Sequence, residues 1–316
     1  MLLLNKKILI TGSSGFVGQG LIQKLHAYPL VLLGRREGSE SIYPYFRAEI
    51  TAEADFSEAL AGVSVVIHCA ARAHIMNDSA ADPLKAFREI NTFGTLNLAR
   101  QAAAAGVRRF IFISTIKVNG ESTDTGKPFR SDDEINPQDA YAVSKAEAES
   151  GLKQLAYETG MELVIIRPPL IYGPGVKANF VAMLRLAKRN LPVPFGAIHN
   201  KRSMLALDNL VDLIEVSIDH PKAANQTFLV SDDRDLSTTE LLQLMVRAYG
   251  KTPRLIPVPM SWFNIIGKLT GKQAVIARLC GNLQVDINDT KTTLNWRPPV
   301  SVEDGIKSCI PKEDLC

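Results

Sequence analysis

Thr11-Gly12-Ser13-Ser14-Gly15-Phe16-Val17-Gly18 is the stretch from which the fold of this chain is read. Lys7-Ile8-Leu9-Ile10 precedes it, a short apolar run of the kind that forms a buried parallel strand. Leu21-Ile22-Gln23-Lys24-Leu25 follows, with apolar spacing that suits a helix packed on a sheet. A strand, a glycine turn and a helix in that order can cradle a phosphate. Gly12 permits a tight turn, Gly15 lets an anion approach the backbone, and Gly18 lets the helix lie close to the strand. Free N–H groups and the positive end of the helix dipole then face the anion. The spacing is Gly-x-x-Gly-x-x-Gly rather than Gly-x-Gly-x-x-Gly. Its place at the first strand–helix junction therefore carries the dinucleotide reading against that of a plain Gly-Ser turn.

Apolar runs and helical patterns alternate downstream. Residues 30–33, 63–69, 109–114 and 163–167 read as strands, and 56–60, 83–105 and 141–158 as helices. This alternation implies βαβ units and a doubly wound parallel sheet of the α/β class, with helices on both faces. After Arg167 the pattern breaks at Pro168-Pro169 and Gly173-Pro174-Gly175. The expected organisation is a Rossmann-like domain over residues 1–167, with 205–230 returning to it, and a smaller substrate lobe over 168–204 and 231–316. Residues 225–230 supply a strand to the main sheet. Residues 237–249 form a helix with Ser237 as N-cap and Glu240 completing a capping box.

Composition narrows the function classes. The 316 residues are 46% hydrophobic and 22% charged, with a net charge of +3, values ordinary for a globular protein. The charge is too small, and the basic residues too scattered, to suggest nucleic acid or a membrane as partner. Met1-Leu2-Leu3-Leu4 is too short for a leader's apolar core, and no run approaches the roughly 18 apolar residues of a membrane span. Cys69, Cys280, Cys309 and Cys316 show no metal or disulfide spacing, so reduced thiols and a cytoplasmic location are expected.

Two clusters could carry chemistry. Tyr141 and Lys145 stand at i and i+4 on an expected helix and share a face. An ammonium beside a phenol favours the phenolate, so Lys145 is expected to lower the Tyr141 pKa and make it a proton donor or acceptor; a solvated helix face is the bland alternative. Ser114-Thr115 lies at the carboxyl end of a strand, the edge where open α/β sheets bind ligands. His68, inside an apolar strand, reads as a core histidine; His74 and Asp132-Asp133-Glu134 carry no metal spacing.

Taken together, these residues resemble the extended short-chain dehydrogenase/reductases of the nucleotide-sugar epimerase/dehydratase family. The likeness rests on Gly12-x-x-Gly15-x-x-Gly18, His68-Cys69-Ala70-Ala71, Asn91-Thr92-Phe93-Gly94-Thr95, Ser114-Thr115 and Tyr141-x-x-x-Lys145. It continues through Arg167-Pro168-Pro169-Leu170-Ile171-Tyr172-Gly173-Pro174-Gly175, Arg202, Leu207-Asp208-Asn209 and Leu294-Asn295-Trp296-Arg297-Pro298. It implies Thr115, Tyr141 and Lys145 as the catalytic set. It implies cofactor contacts at Gly12, Ser14, Gly15, Phe16, Val17, Gly18, Glu49, Ile50, Ala70, Ala71, Asn91, Tyr141, Lys145, Pro168 and Ile171. Thr115, Lys117, Asn179, Arg202 and Arg278 would meet a UDP-sugar. The helices at 83–105 and 141–158 match those of a homodimer interface in the family, and Trp262, Phe263, Ile265 and Ile266 are core, interface or flap.

Departures from the family pattern refine this. The second strand ends Leu33-Gly34-Arg35-Arg36, without the acid that binds a ribose 2′-hydroxyl. Arg35 and Arg36 there favour NADP(H), with NAD(H) as the other possibility. Ile116-Lys117 replaces the acid pair of 4,6-dehydratases, Asn119 replaces a usual tyrosine, and Leu170 stands where many epimerases have asparagine. The expectation is NADPH-dependent C4 reduction of a UDP-4-keto-6-deoxyhexosamine. The alternatives are a UDP-glucose or UDP-N-acetylglucosamine 4-epimerase with retained NAD and, more remotely, a noncatalytic dinucleotide sensor.

Overall fold

Ile8-Leu9-Ile10-Thr11 forms β1 (Ile8–Thr11), the strand around which the sheet is laid down. The computed structural model describes residues 6–35, 42–73, 82–271 and 273–314. The other strands in chain order are β2 (Leu30–Gly34), β3 (Tyr45–Arg47), β4 (Val65–His68), β5 (Arg109–Ile113), β6 (Glu162–Arg167), β7 (Leu170–Tyr172), β8 (Met204–Ala206) and β9 (Gln226–Leu229). Seven lie in one sheet in the order β3-β2-β1-β4-β5-β6-β9, and β7 pairs with β8. Every pairing is parallel. The chain steps outward from β1 through β2 to β3 and then returns to the other side of β1 as β4. The carboxyl ends of β1 and β4 thus flank the point where strand order reverses, the place where such sheets bind ligands.

Alternation along each strand sends side chains to two apolar layers. Ile8 and Ile10 pack in one, with Leu21 of helix Phe16–Lys24 and Leu210 and Ile214 of helix Leu207–Asp219. Leu9 faces the other, with Val66, Phe110, Leu98 of helix Thr95–Ala104 and Leu152 of helix Ala140–Thr159. Both faces are covered, which is why the strands read as continuous apolar runs. Roughly 2 kcal/mol per buried aliphatic side chain makes this sheet the rigid frame on which the loops at its carboxyl edge are mounted.

β9 returns beside β6, and helix Thr238–Ala248 opens with the Ser237–Glu240 capping box. A third apolar cluster joins Tyr172, Phe180, Leu241, Met245 and Ile306. It meets the main sheet at buried Asp232, which accepts hydrogen bonds from the Tyr172 hydroxyl (2.7 Å), the Ala206 N–H (2.8 Å) and Asn209 (2.7 Å). Among the described residues no helix is long and apolar enough to cross a membrane.

Two features differ from the sequence reading. The short edge strand β3 was not expected. The helix expected over 83–105 is three pieces: Pro83–Arg88, capped by Asp82, a π-helical turn Glu89–Gly94, and Thr95–Ala104. The turn has physical causes at both ends. Asn91 is drawn inward to polar partners, and Gly94 lies so close to β3's following loop that a Cβ there would come 2.4 Å from the Ile50 carbonyl oxygen.

Gly18 seats helix Phe16–Lys24 on the glycine turn. A Cβ at this position would lie 2.3 Å from the Gly12 carbonyl oxygen and 2.8 Å from the Ser13 Cα, both main-chain atoms. Gly18→Ala is expected to cost about 1–3 kcal/mol through overpacking, read as a lowered urea midpoint at unchanged slope. A variant as stable as the parent would contradict this packing.

Candidate active site

The glycine turn sits at the carboxyl end of β1. Gly12 has φ +68°, and a Cβ on it would meet the Ala70 nitrogen at 2.8 Å, so only glycine closes this turn against the β4 loop. Its N–H donates to the Leu33 carbonyl (3.0 Å), and the Gly15 N–H donates to the Gly12 carbonyl (2.9 Å). Helix Phe16–Lys24 starts at Gly15 without a capping side chain, while Ser14 and Gly15 are exposed. The N–H groups of its first turn therefore face the ligand edge unpaired by a cap, an arrangement that fits the pyrophosphate of a dinucleotide. Gly12, Ser14, Gly15, Phe16, Val17 and Gly18 all lie on this turn or in the first turn of its helix.

Beneath the turn lies a polar seam. His68 is fully buried at the end of β4, with Nδ1 2.7 Å from the Thr11 hydroxyl and Nε2 2.9 Å from the Thr95 hydroxyl. The ring stacks on Phe112 at 5.9 Å. Burial, aided by the Lys145 charge, pushes its pKa down to about 3. His68 is accordingly a neutral core histidine that fixes the β1 and β4 ends. The Thr11 hydroxyl also accepts from the Ala70 N–H (3.2 Å).

Lys145 is the centre of the site. Only 1% exposed, its ammonium donates to the Ile113 carbonyl at 2.8 Å and lies 4.3 Å above the Phe112 ring centroid. Burial lowers its pKa to about 8, while Cys69 and Glu149 pull the other way. Thr115, two residues beyond Ile113, is buried and caps the short turn Ile116–Val118 by accepting from the Lys117 N–H (3.3 Å). The Ile116 N–H donates to the Pro168 carbonyl (2.9 Å), which locks this turn to the chain leaving β6. Lys145 and Thr115 thus meet at the carboxyl end of β5, and Tyr141 stands one turn before Lys145 on the same helix.

Tyr141 departs from expectation in one respect. It is half-buried, edge-on to Phe87 with ring centroids 6.0 Å apart, and burial raises its phenol pKa above the ordinary tyrosine range, with Asp139 adding to the rise. Lys145 does not lower it here, because the ammonium is turned to the Ile113 carbonyl. Asp139 caps helix Ala140–Thr159 through the Ala142 N–H (2.7 Å) and is bound by Lys117 at 2.5 Å. Lys117 also reaches Glu121 at 2.9 Å, so two carboxylates engage it beside the candidate sugar site.

Asn91 joins the β4 loop to helix Ala140–Thr159. Its Oδ1 accepts from the Arg72 N–H (2.8 Å), and its Nδ2 donates to the Arg72 carbonyl (3.1 Å) and the Ser144 hydroxyl (3.0 Å). Ala70 and Ala71 are half-buried on that loop. Ile50 is buried, Ile171 packs on the sheet's first layer, and Pro168 holds the Thr115 turn. Arg35 stands 3.7 Å from Glu49, both exposed; Arg36 and His74 lie outside the described residues.

The substrate candidates split. Arg202 and Arg278 come together: the Arg202 guanidinium donates to the Arg278 carbonyl (3.0 Å) and the Gly281 carbonyl (3.2 Å). Arg202 is half-buried with no carboxylate in ion-pair range among the described residues, and burial lowers its pKa. An uncompensated guanidinium of this kind suits a diphosphate. Asn179 is exposed near the start of helix Ala178–Arg189. The sequence reading missed a buried pair. Glu149, one turn after Lys145, takes Arg167 bidentately (Nε–Oε1 3.0 Å, Nη2–Oε2 2.5 Å) and accepts from Ser114 at 2.5 Å. Asn119 accepts from Arg167 at 2.9 Å, which accounts for an amide at this position. The only signal was a charged residue ending an apolar strand and an acid four residues after the lysine.

Residues 8–231 match the NAD dependent epimerase/dehydratase family. A UDP-glucose 4-epimerase from Vibrio cholerae is 50% identical over 307 residues, spanning 96% of this chain and 94% of that protein. The solved UDP-N-acetylglucosamine 4-epimerase from Bacillus cereus has the same fold, with a TM-score of 0.77 at 20% identity over 98% of this chain and 95% of that one. So does a UDP-glucuronic acid 4-epimerase from Bacillus cereus in complex with NAD, with a TM-score of 0.75 at 22% identity over 96% of this chain and 97% of that one.

The neutral, buried His68 gives the fold a pH dependence. In the unfolded chain this imidazole takes up a proton near 6.5, whereas in the folded protein it resists down to about 3. The stability it contributes is complete above pH 6.5 and is lost as pH falls from 6.5 toward 3. Chemical unfolding between pH 7 and 4.5 should show this loss, and His68→Gln should flatten it. An unchanged slope would show that His68 is not held neutral.

Proposed function

Because the chain belongs to the NAD dependent epimerase/dehydratase family, we propose that it is an NAD-dependent 4-epimerase of UDP-hexoses or UDP-N-acetylhexosamines. The observation that supports this reading is Lys145 on the Ile113 carbonyl, two residues before Thr115, at the sheet edge where the uncapped glycine-turn helix begins, with Tyr141 one turn before Lys145 on its helix. The 50% identity to a protein named UDP-glucose 4-epimerase supports epimerisation over the C4 reduction expected first from the sequence. Dehydration has no support, since Ile116 is buried and Lys117 is engaged by Asp139 and Glu121.

NAD, when bound, supplies an acceptor and then a donor of hydride at the sugar's C4 carbon. The glycine turn and the N-terminus of helix Phe16–Lys24 would hold its pyrophosphate. Lys145 would hold the nicotinamide ribose, its ammonium already fixed by the Ile113 carbonyl. Tyr141 takes the proton from the C4 hydroxyl and returns it to the C4 oxygen on the other face, while the Thr115 hydroxyl orients that oxygen. A phenol raised by burial and Asp139 releases its proton only beside added positive charge, which ties base activity to a loaded site. Arg202, held by the Arg278 main-chain carbonyl, would neutralise the UDP diphosphate. NAD is supported by the family's NAD dependence and by the NAD-bound UDP-glucuronic acid 4-epimerase of the same fold, although Gly34 ends β2 without an acid. The homodimer expected from the two helices is supported by exposed Phe93 and Tyr157 on them.

With UDP-glucose or UDP-N-acetylglucosamine and no added reductant, the purified protein should form the galacto isomers. Tyr141→Phe should slow this by about 10²-fold or more with binding retained. NADPH consumption with a UDP-4-keto-6-deoxy sugar and no epimerisation would replace this reading by reduction.

Arg202→Ala should raise KM for the UDP-sugar about 10- to 100-fold, the loss of a charged hydrogen bond, with kcat little changed. An unaltered KM would remove Arg202 from the diphosphate site.

A further inference from the structure

Residues 241–285 contain no aspartate or glutamate and six basic residues, Arg247, Lys251, Arg254, Lys268, Lys272 and Arg278, in a chain whose net charge is only +3. The middle of this stretch is a helical hairpin, Met260–Thr270 and Gln273–Cys280, closed by Gly271 at φ +67°. The inner side of its first helix is firmly seated. Phe263 is buried and stacked on Phe195 at 5.9 Å, and Gly267 lies so close to the second helix that a Cβ there would meet the Ile276 Cδ1 at 2.5 Å. These contacts fix which side of the hairpin faces outward.

That outward side is apolar. Trp262 is 61% exposed, Ile265 57% and Leu269 81%, and their spacing of three and four residues places them in one stripe opposite Phe263 and Gly267. Exposed Lys268 borders the stripe, and Val275 on the second helix is 59% exposed. An apolar helix face with a tryptophan, bordered by lysine and free of acids, is the pattern of a helix that lies in the plane of a bilayer interface. The charge decides the occupant: anionic headgroups attract the basic residues, each by about fivefold in partitioning. A second copy of this chain would bring the same positive charge to the contact.

We propose that the hairpin 260–280 docks this protein peripherally on an anionic lipid surface, with Trp262, Ile265 and Leu269 inserted among the headgroups and neighbouring basic residues on the lipid phosphates. The contact lies on the interface and spans nothing.

The two tryptophans make the test direct, because Trp296 is buried and hydrogen-bonded to Asp212 (2.9 Å) while Trp262 is exposed. The full-length protein is mixed with vesicles of phosphatidylglycerol and phosphatidylethanolamine, or of phosphatidylcholine alone. Fluorescence and cosedimentation are read at low and high salt. The expected result is a blue shift and pelleting with the anionic vesicles, weakened by salt, and at least about tenfold less binding for the double variant Lys268→Glu/Leu269→Glu at an unchanged unfolding midpoint. Failure to pellet with anionic vesicles at low salt would overturn the proposal, and so would equal binding to phosphatidylcholine. A concentration-dependent dimer that shifts Trp262 emission without lipid would overturn it in favour of a second copy. None of these readouts depends on which sugar nucleotide is turned over.

Discussion

A buried ammonium is costly unless something replaces its water, and at Lys145 that replacement is the Ile113 carbonyl together with the face of Phe112. The constraint orders its surroundings. The carbonyl is available because β5 ends there and its next residues turn away rather than continue the ladder. The helix that carries Lys145 must approach that strand end closely, and helix Ala140–Thr159 does so with Ala142, Ala146 and Ala148 on its buried side. Small side chains on that face let the lysine reach down to the sheet while Tyr141, one turn earlier, stays near the surface.

The polar groups packed around Lys145 form two connected seams. One runs from Thr11 through His68 to Thr95 and fixes the ends of β1 and β4. The other runs from Ser114 through Glu149 to Arg167 and Asn119 and fixes the ends of β5 and β6. Buried pairs of this sort add little net stability, but losing one partner typically costs 3–5 kcal/mol. Their effect is positional: four strand ends are held together, and the groups that would meet a ligand project from a rigid edge. The π-helical turn at Glu89–Gly94 serves the same end by letting Asn91 bridge the β4 loop and Ser144.

Much of this was legible in the sequence because it is local. The glycine turn, the i, i+4 spacing of Tyr141 and Lys145, the capping box at Ser237 and the strand–helix alternation all follow from neighbours in the chain. The unread features are long-range pairings. Glu149 and Arg167 are 18 residues apart, Lys117 and Asp139 are 22, and no spacing rule joins either pair. Nor does the sequence reveal that Glu49 stands 3.7 Å from Arg35. The direction of the Tyr141 shift was misjudged for a related reason, since helical spacing brings Lys145 to the same face but not its ammonium to the phenol. The exposed stripe of Trp262, Ile265 and Leu269 needed the structure to show which side of its helix was already occupied.

The central claim is that the Tyr141 phenol is held protonated until the site is loaded, with Lys145 committed to the Ile113 carbonyl. An ultraviolet difference titration tests it most directly, comparing tyrosinate absorbance in the cofactor-stripped protein with that of Tyr141→Phe, and repeating both with NAD. The account predicts no difference signal between pH 6 and 9 in the stripped protein and a phenolate appearing in that range once NAD is present. A tyrosinate titrating near neutrality in the stripped protein would contradict it.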